Sequence, residues 1–434
     1  MKVLKFGGSS LADSNQFRKV KDIILSDSER KYIVVSAPGK GENNSHKVTD
    51  LLLMCYQLSS HGLNFKEVFE IVENIYKDIV DNLGLKIDID KILEDIYREI
   101  QEGASKDFTA SRGEYLNAIL LSDFLGFNFV DAKDLIYFKD GKPNFDKIKE
   151  KVQDELKDKE YSVIPGFYGI DEFGNIKIFS RGGSDITGSI IADALNSDIY
   201  ENWTDVSGFL VADPNIVENP RVIKYITYDE LRELSYMGAH VLHEDSIFPV
   251  KRHGITINIR NTNKPNDDGT FIISNYDDNR RPDIITGIAG RPDFSVVTIK
   301  KAFMNSELGF LRKVMSVFET NDIKIDHIPS GIDSVSLVVE SSELSGKISR
   351  VTEEIKIYTD SDSIEVEDKI ALITVVGDGM INKKGTSAKI FTSLAENNLN
   401  IRMISQGSSE LNIIIGVLQK DFKKAIRAIY YAFN

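Results

Sequence analysis

The chain has 434 residues, 41% hydrophobic and 28% charged, the composition of a soluble globular protein with room for about three domains. A formal net charge of −14 argues against nucleic acid or an anionic membrane as the main partner, since both reward positive surface. Cys55 is the only cysteine, so no disulfide can form within the chain, and no apolar run approaches the ~18 residues of a membrane span. No signal-peptide core follows Met1, and a reducing cytoplasmic setting is expected.

Residues 2–6 read as a buried strand that ends in Gly7-Gly8-Ser9-Ser10, and Ser14 opens an amphipathic helix through Phe17, Val20, Ile23 and Ile24. Tyr32–Ser36 is a β-branched run of the kind covered on both faces, and a polar loop leads to Thr49 and a helix over 50–58. This alternation predicts an α/β domain with a parallel sheet. The charged helical stretch 61–102 is expected to be a lid or a packing subdomain, and Ser111-Arg112-Gly113-Glu114 to start another helix. Strands are predicted over 161–169, 176–180, 199–203 and 255–260, with residues 226–248 helical. Residues 261–279 are rich in Asn, Asp, Gly and Pro, which places the main domain boundary near there.

The last third repeats itself with a period of 76: Gly309 and Gly385, Asn321 and Asn397, Ile325 and Ile401, Ile328 and Ile404, Gly331 and Gly407. Each copy reads strand, glycine loop, helix, two strands, helix. The first copy is expected to have strands at 296–300, 324–328 and 335–339, and the second at 371–376, 400–404 and 411–417. This is a ferredoxin-like βαββαβ sandwich present twice. Neither copy looks catalytic, so ligand sensing and plain dimerisation are the two readings.

The chemistry concentrates at two glycine turns. Lys5-Phe6-Gly7-Gly8-Ser9-Ser10 sets a lysine and bare backbone at the C-terminal end of a parallel strand, where ligands collect. Arg181-Gly182-Gly183-Ser184-Asp185 breaks a strand and starts a small-residue helix, with Ser184 or Asp185 as its N-cap. Either turn alone could be an ordinary loop with solvated charges. Together they suit phosphoryl transfer, one side holding donor phosphates and the other an acceptor carboxylate. Neither a Walker A nor a dinucleotide pattern occurs. His240, His243 and Glu244 lack the order and third ligand of a zinc site, and Trp203 reads as packing in preference to a base-stacking platform.

At these motifs, joined by Trp203-Thr204-Asp205 and Gly238–His243, the sequence resembles the aspartokinases over its full length. These are amino acid kinase family members with C-terminal tandem ACT domains. The resemblance implies an amino acid kinase-type parallel-sheet sandwich over residues 1–283, then two ferredoxin-like ACT domains at 284–365 and 366–434. It also implies ATP-dependent phosphorylation of L-aspartate, with magnesium carried on the nucleotide phosphates, as the first step towards lysine, threonine and methionine. On that pattern Lys5 neutralises the transferring group and Asp185 holds Lys5, while Gly7, Gly8 and Ser9 cradle phosphate. Arg181 clamps the aspartate α-carboxylate, Glu114 meets its ammonium, and Ser36, Thr49, Gly182 and Ser184 complete the substrate side. Thr204, Asp205, Leu210, Asn215 and His240 fall on the nucleotide side. Met304, Phe310, Leu311, Asp326 and Ser330 fall where an amino-acid effector would bind, lysine before threonine, in a homodimer formed through the ACT sheets.

Three positions depart from the family. Lysine is usual where His240 stands, arginine where Asn215 stands and tyrosine where Leu210 stands, and Arg221 or Lys224 is the expected source of replacement charge. The alternatives are another carboxylate or carbamate kinase of this fold, and a degenerate kinase acting as an amino-acid sensor.

Overall fold

The computed structural model describes residues 1–41, 46–180, 182–239, 242, 244–277, 280 and 282–433. They form two compact units. The first comprises Met1–Phe209, Val222–Tyr228 and Val241–Tyr276, and the second Leu210–Arg221, Asp229–His240 and Asp277–Asn434.

The first unit opens with β1 (Lys2–Phe6), α1 (Ser14–Leu25) and β2 (Arg30–Val35), α1 being capped by the Asp13 carboxylate on the Asn15 and Gln16 amides. Four helices follow, α2 (Val48–Ser60), α3 (Lys66–Leu83), α4 (Ile89–Gln101) and α5 (Lys106–Leu125). Then come β3 (Asn128–Phe129), β4 (Ser162–Pro165), the hairpin β5 (Tyr168–Ile170) and β6 (Ile176–Ile178), α6 (Gly183–Ala194) and β7 (Ile199–Thr204). β8 (Tyr225–Thr227) runs straight into α7 (Tyr228–Tyr236), and β9 (Thr256–Asn261) and β10 (Thr270–Ile273) close the unit. Among the described residues eight strands make one sheet, β8-β10-β9-β7-β1-β2-β4-β3, parallel except where β9 meets β10. Successive side chains of a strand point to opposite faces. Leu4 and Phe6 of β1 join the core beneath α1–α5, which leaves Lys5 on the face that α6 covers.

Several expectations change here. Residues 61–102 are a packing subdomain: Phe65, Phe69, Val72, Tyr76, Leu93 and Ile96 sit in the main core. Ser111 does not start its helix, because Ser105 already caps the Phe108 amide and places Ser111–Glu114 in mid-helix. The helix expected over 226–248 stops at Tyr236, before Gly238, whose φ is +100°. The loop expected over 261–279 contains β10, too short to show a period. No helix among the described residues is long and apolar enough to cross a membrane.

The second unit holds β11 (Gly287–Lys300), α8 (Phe310–Thr320), β12 (Ser334–Glu340), α9 (Ile348–Thr359) and β13 (Ser363–Val376), then α10 (Thr386–Glu396), β14 (Ile401–Ser405), β15 (Asn412–Leu418) and α11 (Phe422–Phe433). The repeat is real, but the copies share one antiparallel sheet, β12-β11-β13-β15-β14. The second half of β11 pairs with β12 and with the first half of β13, while Gly287–Arg291 pairs with Leu372–Val376 of the other copy. Residues 365 and 366, where one copy was expected to give way to the next, lie inside β13. The strand expected at 324–328 is reduced to isolated bridges, His327 with Val338 and Ser330 with Val335. Asp326 and His327 both donate to the Val338 carbonyl, and Pro329 has no amide to continue the ladder.

Trp203 is packing, as expected. It stacks on Phe6 at 5.9 Å, and its indole N–H donates to Glu201 Oε2 at 2.9 Å. Glu201, 2% exposed, is gripped by Arg30 through Nε at 2.9 Å and Nη2 at 3.2 Å. Removing one partner of such a pair strands the other charge in the core, a cost of about 3–5 kcal/mol. Glu201→Ala should therefore move the urea unfolding transition of the protein to clearly lower denaturant, whereas Glu160→Ala, on an exposed pair with Lys31, should leave it in place.

Candidate active site

The site forms where β1, β2 and β7 end and α6 begins. β1 and β7 run parallel with Lys5 opposite Asn202, so both side chains rise on the α6 face. There Lys5 Nζ meets Asp185 Oδ1 at 2.6 Å, and Asn202 Nδ2 donates to the same oxygen at 2.8 Å. The Tyr200 hydroxyl donates to the Asp185 carbonyl at 3.1 Å, which fixes the first turn of α6 from the same strand. Lys5 is buried, yet its ammonium lies beside the Gly7 backbone at the strand's open end.

Gly182, at φ +57°, is the N-cap of α6, and among the described residues no side chain caps the helix. This corrects the expectation for Ser184 and Asp185. The Asp185 carboxylate turns to Lys5 and Asn202, and Ser184 is buried in the first turn. The helix therefore begins with amides that no side chain among the described residues claims, facing away from the helix body and suited to an anion. On the opposite side Gly8 and Gly39 touch backbone to backbone, joined by Gly39 N donating to Gly8 O at 2.9 Å. A Cβ on Gly39 would stand 2.7 Å from the Gly8 carbonyl carbon, so the 7–9 turn and the loop after β2 fit only without side chains there.

Glu114 lies on the buried face of α5, 5% exposed. The Ala37 amide lies close enough to favour its ionised form, but its Oε2 finds no partner among the described residues. Burial, ahead of any compensating contact, pushes its carboxyl up to about 8. An uncompensated carboxylate oxygen in such a place is a socket for a cationic group. Ser36 sits at the end of β2, its amide on Phe6 O and its carbonyl held by Asn117 Nδ2 at 2.7 Å, and Thr49 is in the first turn of α2.

The other expected residues are less closely grouped. Thr204 Oγ1 donates to Asp205 Oδ1 at 3.1 Å at the end of β7. Leu210 and Asn215 belong to the second unit, where the Asn215 amide is turned onto Asp213 at 3.0 Å. Arg221 is already paired with Asp283 at 2.8 Å, and Lys224 lies over the Tyr225 ring. Arg181, His240 and His243 lie outside the described residues. In the first repeat copy Met304 and Phe310 are part of the apolar core, so their side chains are committed to packing. Leu311 and Ser330 are exposed, and Asp326 is half-buried with its Oδ1 accepting from Tyr236 at 2.5 Å. Asn202 and Tyr200, which secure Asp185, were not anticipated. The available signal was the adjacent polar pair Glu201 and Asn202 inside a strand whose other residues are β-branched or aromatic, a setting that disfavours asparagine.

These residues offer a fixed cation backed by an acid, glycine turns for oxyanions, and a buried carboxylate for an ammonium. The Amino acid kinase family model matches residues 1–261, and an ACT domain model matches residues 373–433. Aspartokinase 3 of Bacillus subtilis (strain 168) is 38% identical over 449 residues, spanning all of this chain and 98% of that protein. The crystal structure of Clostridium acetobutylicum aspartate kinase superposes with a TM-score of 0.93 at 52% identity, covering both chains completely. Escherichia coli aspartokinase III, solved with aspartate and ADP, gives a TM-score of 0.71 at 25% identity over 100% of this chain and 99% of that one. Since the family model spans more than half of the chain and the relatives match it from end to end, the chain belongs to the aspartokinases, the aspartate kinases of the amino acid kinase family.

Proposed function

We propose that the two glycine turns of the first unit hold ATP and L-aspartate face to face, and that a side-chain carboxylate oxygen of aspartate attacks the γ-phosphorus. The P–O bond to ADP breaks as the new one forms, giving 4-phospho-L-aspartate, the first step towards lysine, threonine and methionine. The nucleophile is already an anion, so the step needs alignment and charge neutralisation and no general base. The observation that carries this reading is the Lys5–Asp185 pair at 2.6 Å, beside the Gly7 turn. Asp185 and Asn202 hold the ammonium where charge develops on the transferring group, while Gly7, Gly8 and Ser9 offer backbone to the phosphate oxygens.

On the acceptor side Glu114 takes the aspartate ammonium and Arg181 its α-carboxylate, with Ser36, Thr49, Gly182 and Ser184 around them. Thr204 and Asp205 serve the nucleotide, together with Leu210, Asn215 and His240. The carboxylate beside Lys5, that of Asp185, is engaged by Lys5 and Asn202, and the Lys5 ammonium and the glycine-turn amides fit phosphate oxygens better than a metal ion. Magnesium would be carried on the nucleotide's own phosphates and would supply further charge neutralisation there.

The ACT region takes an amino acid, lysine first and threonine second, with Asp326 meeting its ammonium. The first copy exposes Phe303, Leu308, Ile328 and Ile332, apolar area of the kind that a homodimer through these sheets would cover.

Aspartate-dependent ADP release measured with aspartate, glutamate or no acceptor tests the main reaction, and release indifferent to aspartate would overturn it. Lys5→Ala is expected to lower kcat by roughly 10²–10³ and also to lower the thermal unfolding midpoint, since Asp185 loses its ammonium partner. Glu114 predicts a pH effect. Its raised carboxyl keeps it largely protonated below about 8 in the free site, whereas an ammonium partner demands the ionised form. Aspartate binding should therefore release a proton between about pH 5 and 8 and tighten as pH rises through that window. Calorimetry in buffers of different ionisation enthalpy reads this directly. Glu114→Gln should abolish the release and raise KM for aspartate by roughly 10–100-fold.

A further inference from the structure

Helix α7 follows β8 of the kinase sheet without a break, yet its residues from Asp229 onward belong to the second unit. Three polar side chains spaced three apart lie on one face of it. Glu230 Oε1 accepts from Thr286 Oγ1 at 2.5 Å and from the Asp378 amide at 2.7 Å. Glu233 Oε2 accepts from Asn412 Nδ2 at 2.5 Å. Tyr236, on the last turn, donates its hydroxyl to Asp326 Oδ1 at 2.5 Å. Leu231, Leu234 and Met237 are buried alongside, and a Cβ on Gly287 would stand 2.6 Å from Leu234 Cδ1, so the helix lies hard against the start of β11.

The first two ties reach residues of the second repeat copy and its flanking strand ends. The third reaches the carboxylate assigned above to the effector. Asp326 sits in the irregular stretch beside β12, where backbone bonds hold the chain but leave the side chain to its partner. Among the described residues that partner is Tyr236, whose hydroxyl is itself pushed up to about 12 by burial and by this bond.

We propose that Tyr236 is the positioning residue that couples the effector site to the kinase chain: its hydroxyl and an effector's ammonium compete for the Asp326 carboxylate. This rests on the reading of Asp326 as the ammonium site. With the site empty, the bond pins the C-terminal end of α7. An arriving ammonium takes the oxygen, because a charged donor outcompetes a neutral hydroxyl. The end of α7 is then released, ahead of the Gly238 turn that leads back into the kinase unit. A ligand shifts an equilibrium only by its different affinity for two states, and here the difference is the bond it must displace.

The coupling has a signature that damage to the fold would not give. Tyr236→Phe removes the competitor and the lever together, so lysine should bind roughly 3–10-fold tighter by calorimetry while inhibiting turnover less. A merely structural role would weaken both. In the wild-type protein, saturating lysine should speed hydrogen exchange at the amides of residues 234–237, a measurement that needs no variant. Lysine binding and inhibition with no change in that exchange, or a Tyr236→Phe enzyme that binds and responds as the wild type does, would overturn the coupling alone. If neither lysine nor threonine binds the wild-type protein, the assignment of Asp326 falls and the coupling with it.

Discussion

Lys5 and Asp185 come from elements 180 positions apart, and the distance between them is set by how closely α6 can lie on the parallel sheet. A buried ammonium with no acid beside it would be costly, and so would the acid alone. Each justifies the other, and Asn202 ties the pair to the strand next to β1. The approach is possible because α6 is built of small residues. A Cβ on Gly188 would stand 2.5 Å from the Tyr200 hydroxyl, which has to pass that point to reach the Asp185 carbonyl. The glycine-rich character of this stretch therefore has two causes. One is the turn at Gly182, and the other is the thickness of the layer between helix and sheet.

Much of this could be read from the residues, and the reasons differ from part to part. The parallel core was legible because Tyr32–Val35 is a continuous run of strand formers buried throughout. The repeat was legible because its glycines and isoleucines keep one spacing. What stayed hidden depended on distant partners. β10 is four residues in a polar segment, and only β9 and β8 make it a strand. The N-cap of α6 could not be assigned from its neighbours, since Asp185 is drawn away by a lysine at the other end of the domain. That Met304 and Phe310 pack into the core of the first copy could not be read from their neighbours in sequence. The sharing of β11 and β13 between the two copies has no local mark at all.

Glu114 carries a cost in the free protein. A carboxyl with one oxygen unmatched in a helix interior opposes folding when ionised. The Ala37 amide offsets part of this, and protonation in the free site offsets more.

The interleaved sheet of the second unit also bears on the order in which the molecule can be made. Gly287–Arg291 is translated roughly eighty to ninety residues before the Leu372–Val376 segment with which it pairs. As the chain emerges, the first copy can close around α8 and α9, while the start of β11 waits as an unpaired edge. The second copy is thus a bracket opened before the first copy and closed after it. Neither can be cut out or exchanged as a cassette without leaving half a strand bare, and an edge left bare in this way is a natural point for chaperone attention or for pairing with the wrong chain.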